Sequence, residues 1–139
     1  MPQQATSIGL KYNSPKYWYA GINYNYFTDI YLSPNPDRRT TEALAGYAEG
    51  YPYVNEIVDQ TKLENGNAVN LFIGKSWKFY KNNSYLRLGL NVNNLIDNTH
   101  FKTGGFEQLR YDASNIQRFP NKYGYMYGRT YFLMLSYLY

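Results

Sequence analysis

The last eleven residues, Arg129 to Tyr139, read RTYFLMLSYLY. In an extended chain, successive side chains point to opposite faces. Tyr131, Leu133, Leu135, Tyr137 and Tyr139 then share one face, and Thr130, Phe132, Met134, Ser136 and Leu138 share the other. The first face is wholly apolar or aromatic. A soluble sheet seldom finishes this way, because terminal residues normally fray in water. A strand with one face in lipid does so readily, with its aromatics at the membrane interface. The alternative for this stretch is a core strand of a soluble β-protein.

The same period of two recurs upstream. Thr6 to Tyr12 reads as a short strand that stops at Asn13-Ser14-Pro15, a turn sequence. In Lys16 to Phe27, Trp18, Ala20, Ile22, Tyr24 and Tyr26 alternate with Tyr17, Tyr19, Gly21, Asn23 and Asn25. That length exceeds the usual soluble strand. Ala68 to Phe79 sets Val69, Leu71, Ile73, Lys75, Trp77 and Phe79 on one face. Lys75 lies near the strand end, where its stem can reach the interface. After a polar turn, Tyr80 to Asn83, the stretch Ser84 to Leu95 gives the cleanest alternation. Leu86, Leu88, Leu90 and Val92 point one way, and Tyr85, Arg87, Gly89, Asn91 and Asn93 the other.

Two long connections separate these strands. Thr28 to Asn67 carries seven acids against three bases inside a chain of net charge +4. Within it, Thr40 to Tyr47 predicts a short helix capped by a Thr hydroxyl, and Tyr53 to Gln60 a short strand or helix. Ile96 to Gly128 is rich in Gly, Asn and Tyr, with Gly104-Gly105 expected as a turn. The layout is five strands with alternately short and long connections. Outer-membrane barrels alternate short periplasmic turns with long extracellular loops. Lys11, Lys16, Lys75, Lys78 and Lys81 all fall toward the short-turn end, with no acid among them.

Composition narrows the classes. The 139 residues suit one domain, and 19% are aromatic, including 18 Tyr. Mean hydropathy is negative, which a barrel tolerates because alternate residues and loops are polar. No apolar run reaches the roughly 18 residues of a spanning helix. The absence of cysteine excludes disulfides and thiolate metal sites. The opening MPQQATSIGL lacks the basic start and apolar core of a signal peptide, so an envelope location implies sequence upstream of Met1. His100, the one histidine, reads as a loop residue. The acids of the first connection do not follow a calcium-loop spacing. No catalytic constellation, metal or cofactor is expected, and the modest charge on long alternating strands speaks against nucleic acid.

Asn91-Val92-Asn93-Asn94-Leu95-Ile96-Asp97-Asn98 resembles the N-x-x-N-L-x-(D/N) stretch on the penultimate strand of TonB-dependent outer-membrane transporters. RTYFLMLSYLY resembles their last strand, which the family uses as a barrel-assembly signal, here Tyr131, Leu133, Leu135, Tyr137 and Tyr139. Lys102 to Glu107, Lys122 to Tyr125 and Pro34 to Arg39 are similar to the subgroup with a carboxypeptidase-regulatory-like extension, to which SusC-type transporters belong. The resemblance implies an all-β fold: an antiparallel up-and-down transmembrane barrel segment of about five C-terminal strands with two extracellular loops. It spans residues 1–139 and covers neither plug nor TonB-box. It further implies a Gram-negative outer membrane, uptake of a bulky nutrient such as a glycan, peptide or siderophore-like molecule, and no enzymatic activity. The implied partners are outer-membrane lipid, the rest of the barrel and plug, the TonB complex through the missing N-terminal part, and a surface lipoprotein.

Arg87, Asn91 and Asn93 are then lumen-facing candidates; their other reading is structural hydrogen bonding inside the barrel. Tyr111, Phe119, Tyr123, Tyr125 and Tyr127 are loop candidates for stacking on a ligand; their other reading is loop packing and an aromatic girdle. Two alternatives stand beside the transporter: a small soluble β-barrel or sandwich that binds a ligand, and a membrane barrel assembled from several copies.

Overall fold

The computed structural model describes residues 2–47, 54–81, 83–110, 112 and 115–139, with the side chains of residues 56 and 116 left aside. Eight strands occur among them: β1 (Pro2–Ser14), β2 (Trp18–Tyr31), β3 (Lys62–Leu63), β4 (Gly66–Phe79), β5 (Ser84–Asn93), β6 (Lys102–Phe106), β7 (Lys122–Tyr125) and β8 (Thr130–Leu138). The fold is all-β with little helix. β1, β2, β4, β5 and β8 form one antiparallel meander in that order, with β3 attached to β2, and β6 and β7 make a separate hairpin. The sheet is open, because β1 pairs with β2 and β8 with β5, and not with each other.

All five expected strands are present. The first is longer than Thr6 to Tyr12, since Pro2–Ser14 pairs along β2 over its whole length. The alternation expected through Leu95 ends at Asn93, because Asn94 turns into the left-handed region (φ 51°) and leaves the sheet. The short turns use similar chemistry. Tyr17 takes φ 59° and donates its N–H to the Ser14 carbonyl (3.2 Å), and Asn83 takes φ 47°.

The first long connection holds a 3-10 turn (Pro36–Arg39) and two short helices, α1 (Thr41–Leu44) and α2 (Val54–Val58). The Thr40 hydroxyl caps α1 by accepting the Ala43 N–H (3.1 Å). α2 settles the strand-or-helix alternative for that stretch as helix. The second connection holds the β6–β7 hairpin, which sequence patterning did not reveal. Gly104-Gly105, expected as a turn, lies inside β6 opposite Gly124 and Tyr123. A Cβ on Gly105 would run into the Lys122 carbonyl, so here glycine permits strand pairing and does not end it.

Apolar packing sits at the long-connection end. Ile30, Leu63 and Phe101 are buried there, with Phe27, Tyr123 and Met126 against them, and Phe27 stacks on Phe101 at 5.8 Å. Phe27 and Ile30 are three apart and could not share a face of a regular strand. The left-handed Asp29 (φ 53°) between them breaks the alternation. Along the sheet itself Ala68 and Val92 are buried, but most apolar side chains are not. Leu10 is 73% exposed, and Leu133 and Leu135 are 66% and 68% exposed.

Candidate functional site

Register defines the two faces of the meander, since directly paired residues point the same way. One level runs Leu10, Ile22, Leu71, Val92, Tyr131. The next runs Tyr12, Ala20, Ile73, Leu90, Leu133, and beyond it Trp18, Lys75, Leu88 and Leu135 align. The apolar alternations read from five separate strands therefore merge into one face. Among the described residues Lys75 is the sole charged side chain on it between the turns and Tyr26.

Aromatic residues gather at both ends of this face. Tyr12, Trp18, Trp77, Phe79 and Tyr137 lie toward the short turns; Tyr24, Tyr26 and Tyr131 lie toward the long connections. Aliphatic side chains fill the middle. Trp18 and Tyr26 are separated by about 27 Å of strand, or about 20 Å of height at a tilt of about 40°. That height approaches the apolar band of a barrel in a bilayer. Lys75 follows the same logic. Its Nζ lies 6.0 Å from the Trp77 ring and donates to the Lys16 carbonyl in the turn (2.6 Å).

The opposite face is amide- and glycine-rich. Asn23 pairs with Asn70, Asn25 with Ala68 and Ser7, and Asn93 with Thr130. The Ser7 hydroxyl donates to Asn25 Oδ1 (2.8 Å), and Asn93 Nδ2 donates to Thr130 Oγ1 (3.3 Å). Tyr19 and Phe72, with ring centroids 6.3 Å apart, lie over Gly74 and Gly21, where a Cβ would collide with the rings. Arg87, Asn91 and Asn93 are on this face, and all three are exposed. Asn93 bonds to its cross-strand neighbour Thr130; Arg87 and Asn91 stand opposite Ser76 and Phe72.

The loop candidates divide. Phe119 and Tyr123 both line a cleft of about 510 Å³ between the two long connections, together with Arg38, Asp59 and Gln60. Their rings already carry cations, with Arg110 and Arg118 at 5.8 and 5.6 Å from Phe119 and Lys102 at 4.6 Å from Tyr123. Tyr125 and Tyr127 lie apart from the cleft and are exposed. Tyr111 lies outside the described residues. Tyr131, Leu133, Leu135 and Tyr137 line the edge of the apolar face on β8, and Tyr137 stacks on Tyr139.

Two features escaped sequence reading. The first is a clamp between the long connections. The Arg39 guanidinium forms a two-pronged pair with the Glu107 carboxylate (2.8 and 3.0 Å), and Glu107 also accepts the Asn35 N–H (2.9 Å). Burial pushes the Glu107 carboxyl up, but the Arg39 and Asn35 hydrogen bonds and the charges of Arg39 and Arg38 outweigh it and hold it below the usual carboxylate range. Arg39 also donates to the carbonyls of Asn35, Val58 and Asp59, tying α2 to the same point.

The second is the motif after β5. Buried Asn94 accepts the Asn98 N–H (2.9 Å) and donates to the carbonyls of Tyr127 (2.9 Å) and Asn98 (3.2 Å). Asn98 reaches Asn67, and Asp97 accepts the Arg129 N–H (2.7 Å). The residues that carry the family resemblance thus pin the exit of β5 to the entry of β8. Asn and Asp tolerate positive φ, which Asn94 and Asp97 adopt here, and Tyr127 and Arg129, whose backbone they meet, lie too far along the chain for a local pattern to announce.

Among the described residues no group of three or more His, Asp or Glu side chains is placed to hold a metal. Among the described residues no helix is long and apolar enough to cross a membrane, which says nothing of strands that cross. No match was found among protein families, curated proteins or solved structures.

Proposed function

We propose that this chain is the C-terminal portion of the barrel wall of a TonB-dependent outer-membrane transporter that takes up a bulky nutrient. One observation carries the reading: a continuous apolar face over five antiparallel strands, aliphatic in the middle and aromatic at both ends. The distribution of connections supports it, with two tight turns at one edge and two long, mutually clamped connections at the other. The soluble alternative needs a second layer over Leu10, Ile22, Leu133 and Leu135, which are exposed.

In this reading lipid covers the apolar face, and the amide-rich face with Arg87 and Asn91 turns to the barrel interior, toward the plug. The long connections face outward and are the place for a surface lipoprotein. Energy coupling through TonB belongs to the part of the receptor that this chain does not include, and no residue here acts as a catalyst.

The chain has no cysteine, so single cysteines report cleanly. In intact Gram-negative cells, a membrane-impermeant maleimide should label Gln117→Cys in a long connection and not Lys81→Cys in a short turn until the envelope is opened. Labelling of Lys81→Cys alone would reverse the orientation. Labelling of neither before lysis would remove the surface-exposed barrel.

A further inference from the structure

The apolar face is continuous but dips at Ala20, the smallest side chain on it. A shallow groove of about 420 Å³ runs there between β1, β2 and β4, lined by Leu10, Lys11, Tyr12, Ile22 and Leu71 around the small Ala20 and Gly21. Its lining is almost wholly apolar. Gly21 cannot fill the notch from below, because Phe72 occupies the space on the opposite face where its Cβ would go. One same-face step toward the turn, about 7 Å along the strand, lies the cross-strand pair Trp18–Lys75.

This position is chemically asymmetric. Lys75 is the charged group of the apolar face, and its ammonium is held at the turn by the Lys16 carbonyl (2.6 Å). An ammonium has three donors, and that carbonyl takes one. Lys16 and Lys81 lie in the short turns at the same end, while Lys11 and Lys78 lie over the Tyr19 and Tyr85 rings on the opposite face; residues 10–20 and 74–88 contain no acid. An apolar groove that opens onto a positive rim flanked by tryptophans matches a molecule with an acyl chain and an anionic head. A protein side chain does not offer both.

Building on the lipid-facing assignment above, we propose that the Ala20 groove and Lys75 form a binding site for one anionic phospholipid. Its acyl chain lies over Ala20 and its phosphate meets Lys75 beside Trp18 and Trp77. A single lysine at an anionic membrane surface corresponds to about a fivefold preference over a zwitterionic lipid.

The two tryptophans of the chain flank the site and serve as reporters. The full chain is inserted into phosphatidylcholine vesicles that contain brominated phosphatidylglycerol or, at the same mole fraction, brominated phosphatidylcholine, in a Trp77→Phe background that leaves Trp18. The expected result is stronger quenching by the anionic lipid, with an apparent preference of about fivefold. Lys75→Gln should abolish the preference and leave insertion intact. Ala20→Leu should weaken quenching by both lipids. Equal quenching in the parent, or a preference that survives Lys75→Gln, overturns the site while leaving the membrane reading standing. If neither brominated lipid quenches Trp18 and aqueous acrylamide does, the lipid-facing assignment itself fails.

Discussion

Leu90→Arg and Asn91→Arg place the same cation on adjacent residues of one strand, on opposite faces. Leu90 stands between Ile73 and Leu133 in the aliphatic band. The Trp77–Leu86 pair lies four positions away along β5, and the Val92–Tyr131 pair two positions the other way. At a strand tilt of about 40° these are about 10 Å and about 5 Å of depth. An arginine on a lipid face costs about 2–4 kcal/mol at the midplane and about 0–1 at the interface. Leu90 sits inside the band and off its centre, so about 2–3 kcal/mol applies, a factor of about 30 to 150 in the inserted fraction. Asn91→Arg joins a face that already carries Arg87 and Asn93 and should cost under about 1 kcal/mol. Urea titrations of insertion into short-chain phosphatidylcholine vesicles, followed by tryptophan emission, measure both. Equal shifts for the two variants, or a larger one for Asn91→Arg, would refute the facial assignment.

Further outcomes follow from the loops and the polar face. Glu107→Gln should separate the two long connections by about 3 kcal/mol, since it leaves a largely buried guanidinium without its counter-charge, and amide exchange at Asn35 would report it. Because folding depresses the Glu107 carboxyl, its contribution is complete above the ordinary carboxylate range and fades as pH falls through the depressed value; Asn35 protection, corrected for intrinsic exchange, should fall in that window and not near neutrality. Asn94→Ala should cost about 3 kcal/mol in denaturant titrations, combining a left-handed backbone penalty with lost hydrogen bonds, and Asn94→Gly less, because only the hydrogen bonds go. Gly74→Val should cost about 1–3 kcal/mol by displacing the Tyr19 ring, and adding Tyr19→Ala should recover part of the loss.

Four of the long strands were legible because each carries an apolar set at period two, while the first, Pro2–Ser14, was legible only over Thr6–Tyr12; the short turns were legible from Asn-Ser-Pro at one and a polar Lys-Asn-Asn run at the other. The α1 cap was legible for the same local reason, since Thr40 sits one residue before a helix-forming run. The β6–β7 hairpin was not, because Lys102–Phe106 and Lys122–Tyr125 have no alternation and owe their pairing to partners some twenty residues away. The Arg39–Glu107 clamp joins residues 68 apart in sequence, and no local pattern announces such a pair. Among the candidate site residues, Phe119 and Tyr123 meet in the cleft, but the cations already over their rings depend on tertiary packing.

The five-strand meander has a consequence for polarity. Each strand reverses the direction of the one before it, so β1 and β8 run the same way at the two open edges. A second copy with its long connections on the same side would meet these edges up against up, giving parallel seams. A copy turned over would restore antiparallel seams but send its long connections to the opposite side. An odd number of strands from a different sequence closes the ring with every seam antiparallel and every long connection on one side. The polarity of two edges thus sets a parity rule for any partner that completes the wall.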